Sequence, residues 1–187
     1  MKNRQSTLVI FIVLILVAAL YRLMPRPWGF APQIAMALFG GAIITDKRLA
    51  FALPILSMFI SDLIYHLLYT YGNGTMQGFY EGQLTNYILF ALLTLIGFGL
   101  RDLKVWKIAA ASLIAPVLFF LASNFFVWNS GGGLKRPHTF DGLMECYNDA
   151  FPFFRGSLMG TLFFSAVFFG GYFLLKKYKV FSVTSQA

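Results

Sequence analysis

The stretch LAFALPILSMFISDLIYHLLYTY, residues 49–71, decides the fold. It is apolar over a length that crosses a bilayer as a helix, which takes about 20 residues. Yet its second half carries Asp62 and His66. An ionisable group in hydrocarbon costs roughly 2.5–3.5 kcal/mol on insertion scales, so it needs a partner or a water-filled cavity. A span of this kind belongs to a bundle whose other helices supply one or the other.

Outward from this segment, apolar runs recur along the chain. Of the 187 residues, 58% are hydrophobic, and the mean hydropathy is +0.71. A typical globular domain is about 45–50% apolar, so little room is left for a soluble domain. Six segments read as membrane helices, at about residues 7–24, 33–45, 49–71, 83–100, 108–128 and 153–176. The expectation is a single all-α transmembrane domain, an integral membrane bundle of six helices. Met1-Lys2-Asn3-Arg4 before the first run resembles the start of a signal peptide. The run extends to Met24 without a convincing small-residue cleavage site, which favours a retained first helix. The second segment is short for a span and follows the breaker-rich stretch Pro25–Pro32. It either starts inside that stretch or sits in a thinned or protein-lined region. Pro54 and Pro116 fall inside the third and fifth segments, where each frees a backbone carbonyl.

A formal charge of +8 can signal nucleic acid, but here the basic residues gather in short loops and argue against it. Ten of the 15 Lys and Arg residues lie on one side of a six-span topology: Lys2, Arg4, Lys47, Arg48, Arg101, Lys104, Lys107, Lys176, Lys177 and Lys179. The other side holds Arg22, Arg26, Lys135, Arg136 and Arg155. The positive-inside rule then puts both termini in the cytoplasm. The single cysteine, Cys146, excludes an internal disulfide.

With that orientation, the polar residues inside the apolar segments fall in the outer halves of their spans. They are Asp62, His66, Asn86, Ser123 and Asn124. Asp62 and His66 are four residues apart and share a helix face. Such a pair relays protons, binds a cationic ligand, contributes to a metal site or locks helix packing, although two residues do not complete a metal site. Asn86, with Thr85, and Ser123 with Asn124 reach the same depth from two other spans. Each side chain alone is as well explained by helix–helix hydrogen bonding. Convergence at one depth favours a pocket open to the outside.

The outer loop Asn129–Pro152 predicts a short helix over about residues 139–150, with Thr139 as N-cap. Asp141, Glu145 and Asp149 recur on one face, either as a solvated stripe or as a lid that attracts cations. Small residues four apart mark close helix contacts at Ala31/Ala35, Ala37/Gly41, Ala111/Ala115, Gly156/Gly160 and Ala166/Gly170. No P-loop, H-E-x-x-H, G-x-S-x-G or Cys/His cluster is present, so the chain reads as a binder, not an enzyme, with no cofactor or metal centre.

Arg22-Leu23-Met24-Pro25-Arg26-Pro27-Trp28-Gly29-Phe30-Ala31-Pro32, running into Ala37-Leu38-Phe39-Gly40-Gly41, resembles an uncharacterised bacterial membrane family, known as a domain of unknown function. Ser61-Asp62 and Cys146-Tyr147 with Pro152-Phe153-Phe154 are similar to later parts of its pattern. That family in turn looks like the substrate-binding S-components of energy-coupling-factor transporters. This second resemblance implies six helices, both termini inside and a substrate site near the outer face, closed by outer loops. It also implies docking onto a transmembrane T-component and two ATPases. The expected function is therefore a membrane-embedded subunit that binds a vitamin-like or cofactor-precursor solute for uptake. Asp62, His66, Asn86, Ser123 and Asn124 would be its ligand-binding residues, and the Pro25–Pro32 and Asn129–Pro152 loops its lids. The alternative is a non-transporting structural subunit of a larger membrane complex. No vitamin-specific motif is evident, so the solute's identity does not carry over.

Overall fold

A computed structural model describes residues 2–72 and 74–177, with side chains from Ile12 onward. Its elements are α1 (Lys2–Leu23), α2 (Gln33–Ile43), α3 (Lys47–Thr70), α4 (Gln83–Phe98), α5 (Val105–Asn129) and α6 (Phe140–Lys177). Among the described residues there is no strand. Three helices, α3, α5 and α6, are long and apolar enough to cross a membrane. The stretches Ile12–Leu23, Gln33–Ile43 and Gln83–Phe98 are shorter apolar helices. The large apolar side chains of α3 to α6 that face outward, such as Leu63, Leu92, Leu118 and Phe163, are exposed. A contiguous apolar exterior is what a lipid-facing protein presents.

The hub is the shortest helix. At about 1.5 Å per residue, α2 is roughly 16 Å long, against about 30 Å of hydrocarbon. It packs on α3, α4, α5 and α6, and nearly all of its residues are buried. Pro32 is its N-cap, so the helix does not start inside the Pro-rich stretch. It is walled in by protein on several sides.

Small residues let the neighbours of α2 approach. A Cβ on Gly41 would lie 2.4 Å from the Thr94 carbonyl oxygen, and one on Gly97 would lie 2.6 Å from that of Leu38. The α2–α4 crossing is thus backbone on backbone. Leu38, Phe90, Leu93, Ala115 and Phe169 fill the core beside it, while Ile15, Ala18, Met36 and Leu53 join α1, α2 and α3. Gly156 and Gly160 of α6 serve the loop before α2: a Cβ on either would strike the backbone of Trp28 or Ala31. Ala35, Ala111 and Ala115 are likewise buried. Only towards the end of α6 does a small-residue site face open space, at Gly170 and Gly171.

The loop helix expected at residues 139–150 is not separate. It is the first part of α6, which runs unbroken for 38 residues with Pro152 inside it. A proline removes one hydrogen bond to the preceding turn and disfavours helix at the residue before it, but neither forbids continuation. Thr139 caps the helix as expected, its Oγ1 accepting from the Gly142 N–H at 3.1 Å. Arg136 reaches across to Glu145 at 2.9 Å and Asp149 at 2.9 Å, so two members of the acidic stripe are paired.

Candidate functional site

Asp62 is 1% exposed, and its carboxylate is fully engaged. Oδ1 receives the Arg22 guanidinium at 2.8 Å. Oδ2 receives the Tyr87 hydroxyl at 2.6 Å and the Gln83 side-chain amide. Arg22 also donates to the Ser61 hydroxyl and to the Met58 carbonyl at 3.2 Å. The Tyr65 hydroxyl in turn donates to the Arg22 carbonyl. This network ties the last turn of α1 to α3 and the first turns of α4. A buried charge is tolerable when it is paired and its remaining lone pairs are satisfied.

The carboxylate–imidazole pair expected from the spacing of Asp62 and His66 does not form. Asp62 turns to Arg22, a full positive charge with well-directed donors, whereas His66 lies against the Phe79 ring at 5.6 Å. Its Nδ1 is buried without a partner. The loop after α3 presses on the same stretch of helix: a Cβ on Gly78 would sit 1.8 Å from the Asp62 carbonyl oxygen. Only glycine permits that approach.

Beside the network lies a cavity of about 690 Å³ at one end of the bundle. Every helix contributes to its wall: Arg22, Gln33, Tyr65, Asn86, Asn124 and Ser157 come from α1 to α6 in order. Ser123 lies on the wall as well, and Phe90, Phe119, Phe120, Phe153 and Phe154 supply an aromatic lining. Asn86 is held by bonds from its Nδ2 to the Tyr80 hydroxyl at 2.9 Å and to Gln83 Oε1 at 3.2 Å. Asn124 and Ser123 donate to the Phe120 carbonyl at 2.8 Å and 3.4 Å. Their remaining oxygen acceptors are available to a guest.

Of the five residues singled out in the sequence, Asn86, Ser123 and Asn124 therefore line the cavity together. Asp62 is not on its wall but positions Arg22, which is. His66 is not on the wall either. The cover is made by the Pro25–Pro32 stretch, through Pro25, Arg26 and Trp28, and by Thr75, Met76 and Tyr80 of the next loop. The Asn129–Pro152 stretch supplies no wall residue. Part of it folds back on the end of α5, the Trp128 indole donating to the Pro137 carbonyl at 2.9 Å and His138 bonding the Trp128 carbonyl.

Sequence reasoning missed Arg22, Arg26 and Gln33 as wall residues. The two arginines counted there only as loop charges, and Gln33 only as the start of a short apolar run. Two arginines, Arg22 at the end of the first apolar run and Arg26 in the Pro-rich link after it, were the available signal. Cys146 makes an ordinary helix contact, its thiol 3.6 Å from the Asn124 carbonyl oxygen. Among the described residues, no group of three or more His, Cys, Asp or Glu side chains is placed to hold a metal.

A family model described as a family of unknown function (DUF6580) matches residues 2–184, and the chain belongs to that family. No curated protein and no solved structure matches it.

Proposed function

We propose that this DUF6580 member binds a small molecule in the cavity at one end of its bundle, as the solute-recognition subunit of an uptake transporter. The observation that carries the reading is the cavity wall, to which all six helices contribute and on which polar side chains of α4 and α5 converge. Its volume falls within the roughly 300–1,000 Å³ usual for ligand pockets. It joins an aromatic lining to a few polar groups, a combination suited to a flat, vitamin-like or cofactor-precursor solute.

The same reading has all six helices crossing the bacterial inner membrane, with α2 as a short, protein-walled passage and both termini cytoplasmic. The loop charges support that orientation, which opens the cavity to the outer face. The site binds without chemistry. A T-component with its ATPases would be the energising partner.

A second reading, a structural subunit of a larger membrane complex, draws on one observation. Ala166 is exposed, and Gly170 and Gly171 meet nothing, which leaves a flat helix surface free to pack on another protein.

The two are separated by screening the purified protein against vitamins and cofactor precursors for a rise in melting temperature. A solute at about 100 times its Kd adds roughly 2.7 kcal/mol of stability. The binding reading expects at least one stabilising solute, with the effect lost in the Asn86→Leu/Asn124→Leu variant. If no solute stabilises the protein and a protein partner co-purifies instead, the structural reading replaces it.

A further inference from the structure

We infer that the cavity holds an anionic group of its ligand, a carboxylate or phosphate, against Arg26 and Gln33 at the N-terminus of α2. The inference rests on the cavity being a ligand site and names the chemical class that it takes.

Two arginines line the cavity. Arg22 is neutralised by Asp62 at 2.8 Å. Arg26 has no such partner, although all seven acidic residues of the chain are among the described residues. Asp102 pairs with Lys104 and Lys107. Glu145 and Asp149 pair with Arg136, and Asp46 caps α3. Asp141 and Glu81 line no part of the cavity. Among the described residues Arg26 makes a single hydrogen bond, from its guanidinium to the Phe30 carbonyl at 3.2 Å, and its Nε is buried with no acceptor. The cavity therefore carries one uncompensated positive charge.

Gln33 is the second observation. It is 3% exposed and lines the cavity, and its Nε2 is buried with no acceptor. The third is the helix that Gln33 begins. The first N–H groups of any α-helix lack intrahelical acceptors, and its N-terminus carries partial positive charge. In α2 no side chain caps these groups and the first turn holds no acidic residue. A guanidinium, an amide and an uncapped helix N-terminus thus line the same cavity, and all three want an anion. Trp28 and Phe153, stacked at 5.3 Å, and Phe120 surround the remaining space, so the body of the ligand is apolar or flat.

A soluble solute and a phospholipid headgroup both offer this anion, and the test separates them. The full-length protein in neutral detergent is titrated with matched pairs: indole-3-acetate and indole-3-acetamide, nicotinate and nicotinamide, pyridoxal phosphate and pyridoxal. Heats of binding and melting temperature are read. In parallel, melting is compared in phosphatidylglycerol and phosphatidylcholine nanodiscs. The anionic member of at least one pair is expected to bind tenfold or more tightly than its neutral partner. Arg26→Gln should cut that preference below threefold, Arg26→Lys should keep part of it, and Gln33→Leu should weaken it without unfolding the bundle.

If only phosphatidylglycerol stabilises, and does so through Arg26, the anion is a headgroup; the subsite then stands and the uptake reading falls. Neutral members that bind as tightly as anionic ones, with Arg26→Gln unchanged, overturn the anionic subsite and leave the cavity as a site for uncharged solutes. Absence of binding by every soluble and lipid probe also overturns it, while the broader solute screen decides the uptake reading separately.

Discussion

Arg22 and Asp62 meet at 2.8 Å across a separation of 40 residues, and their pairing joins the end of α1 to α3. With Asp62 fully buried, removing one partner leaves a charge with no counterion. Asp62→Ala and Arg22→Ala should each cost about 3–5 kcal/mol, as broken buried pairs do. Replacing both, as Arg22→Met/Asp62→Leu, should recover roughly half of that loss or more, because no unpaired charge remains. Unfolding curves in detergent for Arg22→Met, Asp62→Leu and the variant that combines them measure the coupling directly.

His66 offers the contrasting case. Its Nδ1 is buried without a partner and its ring lies against Phe79. An apolar ring of similar shape relieves an unsatisfied group, so His66→Phe should be neutral within about 1 kcal/mol, or stabilising. The variant should also bind whatever the wild type binds. A loss comparable to that of Asp62→Ala would mean that the histidine has a polar role.

The α2–α4 crossing predicts a graded glycine series. Gly41→Ala places a methyl 2.4 Å from the Thr94 carbonyl oxygen and must push the helices apart. Overpacking of this kind costs about 1–3 kcal/mol. Gly170→Ala adds a methyl where nothing lies within 4 Å, so it should change stability by about 0.5 kcal/mol or less. Melting temperatures of the two variants, prepared side by side, check the order.

Asp102, in the turn between α4 and α5, gives a pH signature. The hydrogen bond from the Lys107 ammonium, at 2.7 Å, holds its carboxyl below the usual carboxylate range. A depressed folded pKa contributes stability that is present above the unfolded value and fades as pH falls through the folded one. Asp102→Asn should therefore melt slightly below the wild type at neutral pH, and the two curves should converge below about pH 4. Added salt should narrow the neutral-pH gap too, because the pair is exposed.

The chemistry that was readable from the chain is chemistry that hydrocarbon makes conspicuous. Asp62 stands out in an apolar span because an ion there must be explained, and Asn86, Ser123 and Asn124 stand out by depth. The partner of Asp62 was not readable. Helical spacing offers His66 as the neighbour, but the register between α1 and α3 that delivers Arg22 exists only once both have packed. Gln33 was hidden for a related reason: a single polar residue after Pro32 resembles an ordinary helix start until α2 proves to be the buried hub. The continuous α6 escaped because Pro152 reads as a boundary, although one proline removes only one hydrogen bond from a long helix.

The central claim is that the cavity is a ligand site, and an experimental density map of the protein extracted gently from its native membrane tests it most directly. The account predicts compact non-protein density between the aromatic wall and Asn86, Ser123 and Asn124, with one end against Arg26 and Gln33. A cavity that is empty, or closed by repacked side chains, after the protein has also been saturated with the solute panel would contradict it.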